Sequence, residues 1–374
     1  MEIFFSESGR RPFILDRDMS WIPEVNHFLH NLSEHRGKTA SPHTSRAYGY
    51  HLAHWLTYAE TLSLDWKRAS FKDLAIYRNN LRQECSGLTK RTLKRETINL
   101  RLGVICSFYK FLLRHKYILK LPFDLEEVRV THQRNSDEMA HLGRFRGKSL
   151  SNPLMYRTYE RCVDIPTNDD VRNFIHSFDS WRNRLIAEIM WVSGMRRAEV
   201  CDLTIFVIPE NLDFTDERVV AVRIVGKGSK ARRVKLPVNL LRSIRHYVDT
   251  ERQRLLRKNP RKTDQIWLGR NGCPITPAAI NKFFKINEKK CGLKIAPHTI
   301  RHNYAVQRLA YLQDHGVTSA LKILQGELGH SHLHTTEIYL HETDSMRAQA
   351  LAEHEGFIAS LMVRGNSTNG GSND

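Results

Sequence analysis

A mainly helical protein with a small antiparallel sheet, divided into two units, is what the sequence predicts. Three observations carry that expectation. Apolar residues recur at three- and four-residue spacing through most of the chain, β-branched residues gather around one Gly-rich basic turn, and periodicity fades between Asp124 and Asp164. A chain of 374 residues is also long enough for two cores plus extensions.

Residues 1–15 read as an N-terminal extension and 16–123 as a helical unit. Trp21-Ile22-Pro23 opens a helix carrying Val25, Phe28, Leu29 and Leu32 on one face, with Pro23 suited to a first turn. A second helix opens near Ser41-Pro42 and stacks Tyr48, Leu52, Trp55, Leu56 and Ala59. A third runs from about Phe71 to Leu81. The fourth, from about Lys94 to Arg114, turns Ile98, Leu102, Ile105, Phe108, Tyr109 and Leu112 inward and Arg95, Arg101, Lys110 and Arg114 outward. With Lys90 and Arg91 ahead of it, this is the most basic helix of the unit.

Residues 124–164 read as a long basic linker, polar in His132-Gln133-Arg134 and Gly143-Arg144-Phe145-Arg146. A second unit, 165–342, begins at Pro166-Thr167-Asn168-Asp169-Asp170, where first-turn carboxylates complement the helix dipole. Helices are expected at Val171–Phe178 and Leu185–Val192. A hairpin follows, with strands Val219–Val225 and Arg232–Leu236 around Gly226-Lys227-Gly228-Ser229-Lys230. Further helices are expected over Leu240–Leu256, after Thr276-Pro277, and over Thr299–Tyr311 and Ser319–Leu328. Residues 343–362 read as an amphipathic docking helix and 363–374 as a disordered tail.

Hydrophobic residues at 41% and charged residues at 26% exclude a disordered, collagen-like or polytopic membrane chain. Lys and Arg total 58 against 40 Asp and Glu, a formal charge of +18, which points to a polyanionic partner. The six cysteines form no Cys-x-x-Cys pair, so a reducing, cytoplasmic setting without a membrane anchor is expected.

Four segments of the second unit suit phosphate chemistry. In Ser193-Gly194-Met195-Arg196-Arg197-Ala198-Glu199, i, i+3 spacing puts Glu199 where it can orient the planar fork of Arg196, although an isolated match would be an ordinary helical ion pair. Lys227 sits at the hairpin tip. In Pro297-His298-Thr299-Ile300-Arg301-His302, an imidazole lies beside a guanidinium, an arrangement suited to proton transfer at a charged oxygen. The fourth segment, Leu328-Gly329-His330 through Tyr339, alternates His330, His332 and His334, but it matches no metal-site signature, so neither metal nor cofactor is expected.

In order and internal spacing the four segments resemble the boxes of the tyrosine recombinases, the phage-integrase family of DNA strand-exchange enzymes. The similarity extends to Thr44–Tyr58 and Thr97–Leu113, which look like that family's core-binding helices, and it runs from about Met19 to His341. The resemblance implies a helical core-binding domain and a catalytic domain closing as a C-shaped clamp on double-stranded DNA with specific recombination sites. It further implies a homotetramer, with room for an accessory DNA-bending or directionality protein.

By the same resemblance Tyr339 is the nucleophile, Arg196 and Arg301 hold the scissile phosphate, Lys227 protonates the leaving 5′ oxygen, and Glu199 orients Arg196. His298 is the preferred base and His330 a phosphate donor; His302 and His341 are structural. Lys90, Arg91, Lys94, Arg95, Arg101, Lys230 and Arg232 are expected to face DNA. The reading is a site-specific recombinase or integrase of a mobile element, working through a 3′-phosphotyrosyl intermediate and a Holliday junction. Rivals are an Xer-like dimer-resolving recombinase and, more remotely, a type IB topoisomerase, a protelomerase or a silent DNA-binding repressor.

Overall fold

The structure is a computed structural model, and it describes residues 1–6, 11–34, 42–85, 92–124, 126–131, 146–157, 165–212, 218–226, 231–257, 263–330, 335–340 and 343. The chain divides into two compact units, Met1–Arg161 and Cys162–Asp374. Among the described residues it is mostly helical, with three two-stranded antiparallel sheets.

In the first unit, α1 (Pro23–Glu34), α2 (Pro42–Thr61), α3 (Phe71–Gln83) and α4 (Arg95–Arg114) enclose a core of Phe28, Leu52, Trp55, Tyr77, Ile105 and Phe108. A capping box fixes the start of α3: Ser70 accepts from the Asp73 amide, while the Asp73 carboxylate accepts from the Ser70 amide. The extension expected at 1–15 is a hairpin, β1 (Glu2–Phe5) against β2 (Pro12–Leu15). It belongs to this core because Ile14 is fully buried and the Asn26 side-chain amide grips its backbone in both directions, each bond 2.8 Å.

Within the expected linker the described residues are 124, 126–131 and 146–157. β3 (Glu126–Thr131) pairs with β4 (Arg146–Ser151), and the following residues dock on α4. Leu154 is buried, and the Asn99 side chain bonds the Tyr156 carbonyl and amide at 2.8 and 2.9 Å. Periodicity missed this because each strand is only six residues long and their pairing joins separate stretches of chain.

The second unit opens with α5 (Asn168–His176), capped reciprocally by Thr167 and Asp170, then α6 (Trp181–Ser193) and the short α7 (Arg197–Cys201). β5 (Val219–Val225) and β6 (Ala231–Pro237) pair antiparallel, burying Val222, Ile224, Val234 and Leu236. The long helix expected over Leu240–Leu256 is α8 (Val238–Tyr247), a π turn (Val248–Arg252) and α9 (Gln253–Leu256). Then come α10 (Pro277–Cys291), α11 (Pro297–Asp314), α12 (Ala320–Leu328) and a helical segment over 335–340. Two apolar clusters hold this unit. One centres on α6, the hairpin and α8; the other joins α11 and α12 to Tyr339.

One glycine is dictated by this packing. Gly194 ends α6 with φ +60°, and an added Cβ would lie 2.8 Å from Cε1 of Tyr304. Gly194→Ala is expected to destabilise the protein by about 2–4 kcal/mol, from left-handed strain plus overpacking, read as a lower urea midpoint at unchanged slope.

Candidate active site

The C-terminus of α12 organises the site. A helix leaves its last carbonyls unpaired at the negative end of its dipole, and three arginines from distant parts of the chain answer them. Arg232 Nε donates to the Glu327 carbonyl at 2.9 Å. The Leu328 carbonyl accepts from Arg196 Nη1 at 3.2 Å and from Arg301 Nη2 at 2.7 Å, and the Gly329 carbonyl accepts from Arg196 Nη2 at 3.4 Å. Backbone dipoles thereby fix Arg196 and Arg301 without consuming their charge.

Arg196 is the N-cap of α7, and its side chain is 32% exposed. Glu199, 3% exposed, accepts from the Arg196 amide at 2.7 Å and from Arg196 Nη1 at 3.1 Å. Arg232 approaches the same carboxylate as a fork, at 2.6 and 2.7 Å. Burial alone would raise the Glu199 pKa, but the bonds from Arg232 and the Arg196 amide outweigh it and hold the pKa below the usual carboxylate range. The cluster of Arg196, Arg232, Arg301 and Glu199 thus carries 3 − 1 = +2.

Arg301 is 3% exposed, with its fork spread between the Gly194 carbonyl, the Leu328 carbonyl and Nε2 of His330. Burial, then the charge of Arg196, lowers its pKa to about 10, which leaves it cationic at neutral pH. Because a guanidinium only donates, His330 Nε2 accepts at 3.1 Å, so the proton sits on Nδ1, facing Thr336 Oγ1 at 3.0 Å. As placed here, His330 orients Arg301 and cannot donate to a phosphate from Nε2. Burial and Arg301 lower its pKa to about 4.

His298 and His302, one turn apart on α11, share a 2.9 Å Nε2–Nε2 hydrogen bond, so one ring donates and the other accepts. Burial, then Arg301, lowers the His298 pKa, while burial and His298 lower that of His302 to about 4. Both rings are therefore neutral near pH 7, as a proton acceptor requires. The His302 ring centroid lies 5.4 Å from that of Tyr339, and the His330 and Tyr339 rings stack at 6.4 Å.

Tyr339 is 2% exposed and belongs to one apolar cluster with Ala305, Leu309 and Leu328. Burial raises its phenol pKa, and Arg301 and Arg196 oppose that shift. Beside these groups a cleft of about 340 Å³ is lined by Arg196, Gly226, Arg232, Lys322, Gln325 and His330.

The structure thus brings Arg196, Glu199, Arg301, His298, His330 and Tyr339 into one region. Lys90, Arg91, Lys227, Lys230, His332, His334, His341 and the helix expected at 343–362, apart from Thr343, lie outside the described residues. Lys94 and Arg95 are exposed at the start of α4. Two expected outward arginines are placed otherwise. Arg101 pairs with Glu84 at 3.3 Å with its side chain 18% exposed, and Arg232 turns inward onto Glu199 with its side chain 9% exposed. Each is drawn in by a carboxylate that spacing along its own element does not reveal. Sequence reasoning also passed over Thr336, although the Thr335-Thr336 pair lies inside the motif that carried the resemblance.

Acid sensitivity follows from the histidines. His302 and His330 hold pKa values near 4, below the ordinary value of 6.5, so the unfolded chain takes up protons first as pH falls. Their contribution to stability is complete above about pH 6.5 and is lost between there and pH 4. A melting temperature that declines through this window, and declines less in His302→Asn, is the expected result.

The chain matches the phage integrase family over residues 166–346 and the N-terminal SAM-like domain of phage integrases over residues 25–116, together well over half its length. A tyrosine recombinase XerC from Anoxybacillus flavithermus is 26% identical over 326 residues, covering 85% of this chain and 93% of that protein. A tyrosine recombinase XerD from Staphylococcus aureus is 29% identical over 271 residues, covering 70% and 78%. Among solved structures, the XerH site-specific recombinase bound to palindromic difH substrate in a post-cleavage complex superimposes with a TM-score of 0.59 at 18% identity, over 85% of this chain and 82% of that one.

Proposed function

The chain belongs to the phage integrase family and is a tyrosine recombinase, and on that premise we propose how its own residues break and rejoin DNA. The carrying observation is the joint hold of α12 on Arg196 and Arg301, next to Tyr339. Attack by Tyr339 Oη on the scissile phosphorus forms a phosphotyrosyl bond and breaks the bond to the 5′ oxygen. Extra negative charge develops on the non-bridging oxygens, and a fixed +2 cluster stabilises that charge more than it stabilises the ground-state diester. The phenol, ordinarily at a pKa of about 10, passes its proton to neutral His298. Lys227 protonates the departing oxygen. The linkage keeps the ester's energy, so a second strand's 5′ hydroxyl reverses the step.

Tyr339 is buried, so attack requires the 335–340 segment to present the phenol to the phosphate, and DNA binding supplies the energy for that exposure. The first unit, with Lys94 and Arg95 exposed on α4, contributes further backbone contacts to double-stranded DNA. We assign the recombination to a mobile element, with a tetramer holding two sites; the XerC and XerD relatives favour chromosome or plasmid dimer resolution as the second reading.

A nicked duplex from the borders of the element is expected to trap the chain covalently, while a duplex of unrelated sequence is not. Relaxation of supercoiled plasmids of arbitrary sequence without exchange would overturn the recombinase assignment in favour of a topoisomerase. Lys227→Ala is expected to slow cleavage of an ordinary 5′-oxygen leaving group by about 10²–10⁴-fold and to spare a 5′-bridging phosphorothiolate, because a thiolate departs without protonation. Equal defects on both substrates would remove Lys227 from that role.

A further inference from the structure

We propose that Arg232 is a positioning residue for strand cleavage. By saturating Glu199 it keeps the outer edge of the Arg196 fork free for phosphate. The inference rests on the phosphate-binding role given above to Arg196.

An ionised carboxylate offers about four acceptor positions. Those of Glu199 are filled by Arg232 Nη1 and Arg196 Nη1 on Oε1, and by Arg232 Nη2 and the Arg196 amide on Oε2. Arg196 consequently gives Glu199 only one side-chain bond. Its other side-chain bonds go to the Leu328 and Gly329 carbonyls. Among the described residues this leaves two of its five N–H donors free, the number a bidentate phosphate contact needs. Without Arg232, a buried carboxylate facing one guanidinium would take both edges of the fork for itself, and Arg196 would turn away from the cleft.

The place of Arg232 is built from three elements. It rises from β6, grips α7 through Glu199, and donates to the Glu327 carbonyl of α12. Gly329, with φ +64°, covers it so closely that a Cβ there would lie 3.2 Å from Arg232 Cδ and Nη1. Lys227 stands five residues earlier in the sequence, so the residue given the acid's role and the residue that aims Arg196 are near neighbours along the chain. A lysine at 232 would keep the charge but could not span both carboxylate oxygens and the carbonyl.

Single-turnover cleavage of a nicked duplex, measured with DNA affinity and melting temperature on the full chain, tests this. Arg232→Lys is expected to cleave about 10²-fold more slowly with unchanged affinity, the size of effect a small misplacement of a reacting group produces. In an Arg196→Ala background the same change should add almost nothing, because the group it aims is gone. Wild-type cleavage by Arg232→Lys, defects that multiply with Arg196→Ala, or cleavage and affinity falling together would each overturn the proposal. Should Arg232→Lys lack a cooperative melt, Glu199→Gln decides. It keeps the shape but loses the charge that would capture the fork, so adding Arg232→Lys to it should slow cleavage little further, and a further loss of about 10²-fold overturns the proposal. Unimpaired cleavage by Arg196→Ala would instead overturn the phosphate site itself.

Discussion

Tyr339→Phe is expected to abolish covalent capture of DNA, with a loss of at least about 10⁴-fold, while site binding stays within about twofold of wild type. The substitution removes one oxygen and leaves the ring, so its place in the apolar cluster of α11 and α12 persists. Arg196 and Arg301, to which the proposed function gives the phosphate, take their fixed positions from backbone carbonyls and not from the phenol. The measurement is a denaturing gel of a nicked duplex incubated with each protein, beside a native gel for binding. Adducts persisting in Tyr339→Phe would move the nucleophile elsewhere. Tyr304, another tyrosine near the cluster, is already engaged by Glu327 at 3.2 Å, and burial and that carboxylate raise its pKa.

The helices were legible because their apolar faces repeat at the helical period and their starts carry local signals. Thr167 with Asp170, and Thr276 before Pro277, mark α5 and α10 within a residue or two. The β1–β2 hairpin and the β3–β4 ribbon were not, since what holds them is non-local: Asn26 reaching Ile14, and strands whose nearest paired residues are Thr131 and Arg146. The site divides in the same way. The i, i+3 relation of Arg196 to Glu199 is readable from spacing, and the bond exists. The inward turn of Arg232 is not, because its partners lie 33 and 95 residues away. Nor does any spacing reveal that the carbonyls of α12 hold the arginines, since backbone acceptors leave no mark on residue identity.

Arg301→Lys is expected to lower single-turnover cleavage by about 10²–10³-fold at pH 7.5, the usual cost of losing a preorganised donor to a developing oxyanion. Arg301 spans the end of α6, through the Gly194 carbonyl, and the end of α12, through Leu328, while still meeting His330. Only a planar fork reaches all three; an ammonium is a point charge on a flexible stem. Protonation sharpens the contrast. The same burial and the same Arg196 that lower Arg301 to about 10 would act on a lysine whose ordinary value is already about 10.4, so a fraction of the variant would be neutral near neutral pH. Acidification then restores charge at position 301, while burial and Arg301 hold the His298 pKa below its ordinary value. The cleavage optimum of Arg301→Lys should accordingly move to lower pH than that of wild type, with a lower melting temperature because the buried acceptors at Gly194, Leu328 and His330 are no longer all met. A variant that keeps wild-type cleavage would deny Arg301 a place at the phosphate. A uniform loss with no shift in optimum would leave fork geometry, and not charge, as the whole of its contribution.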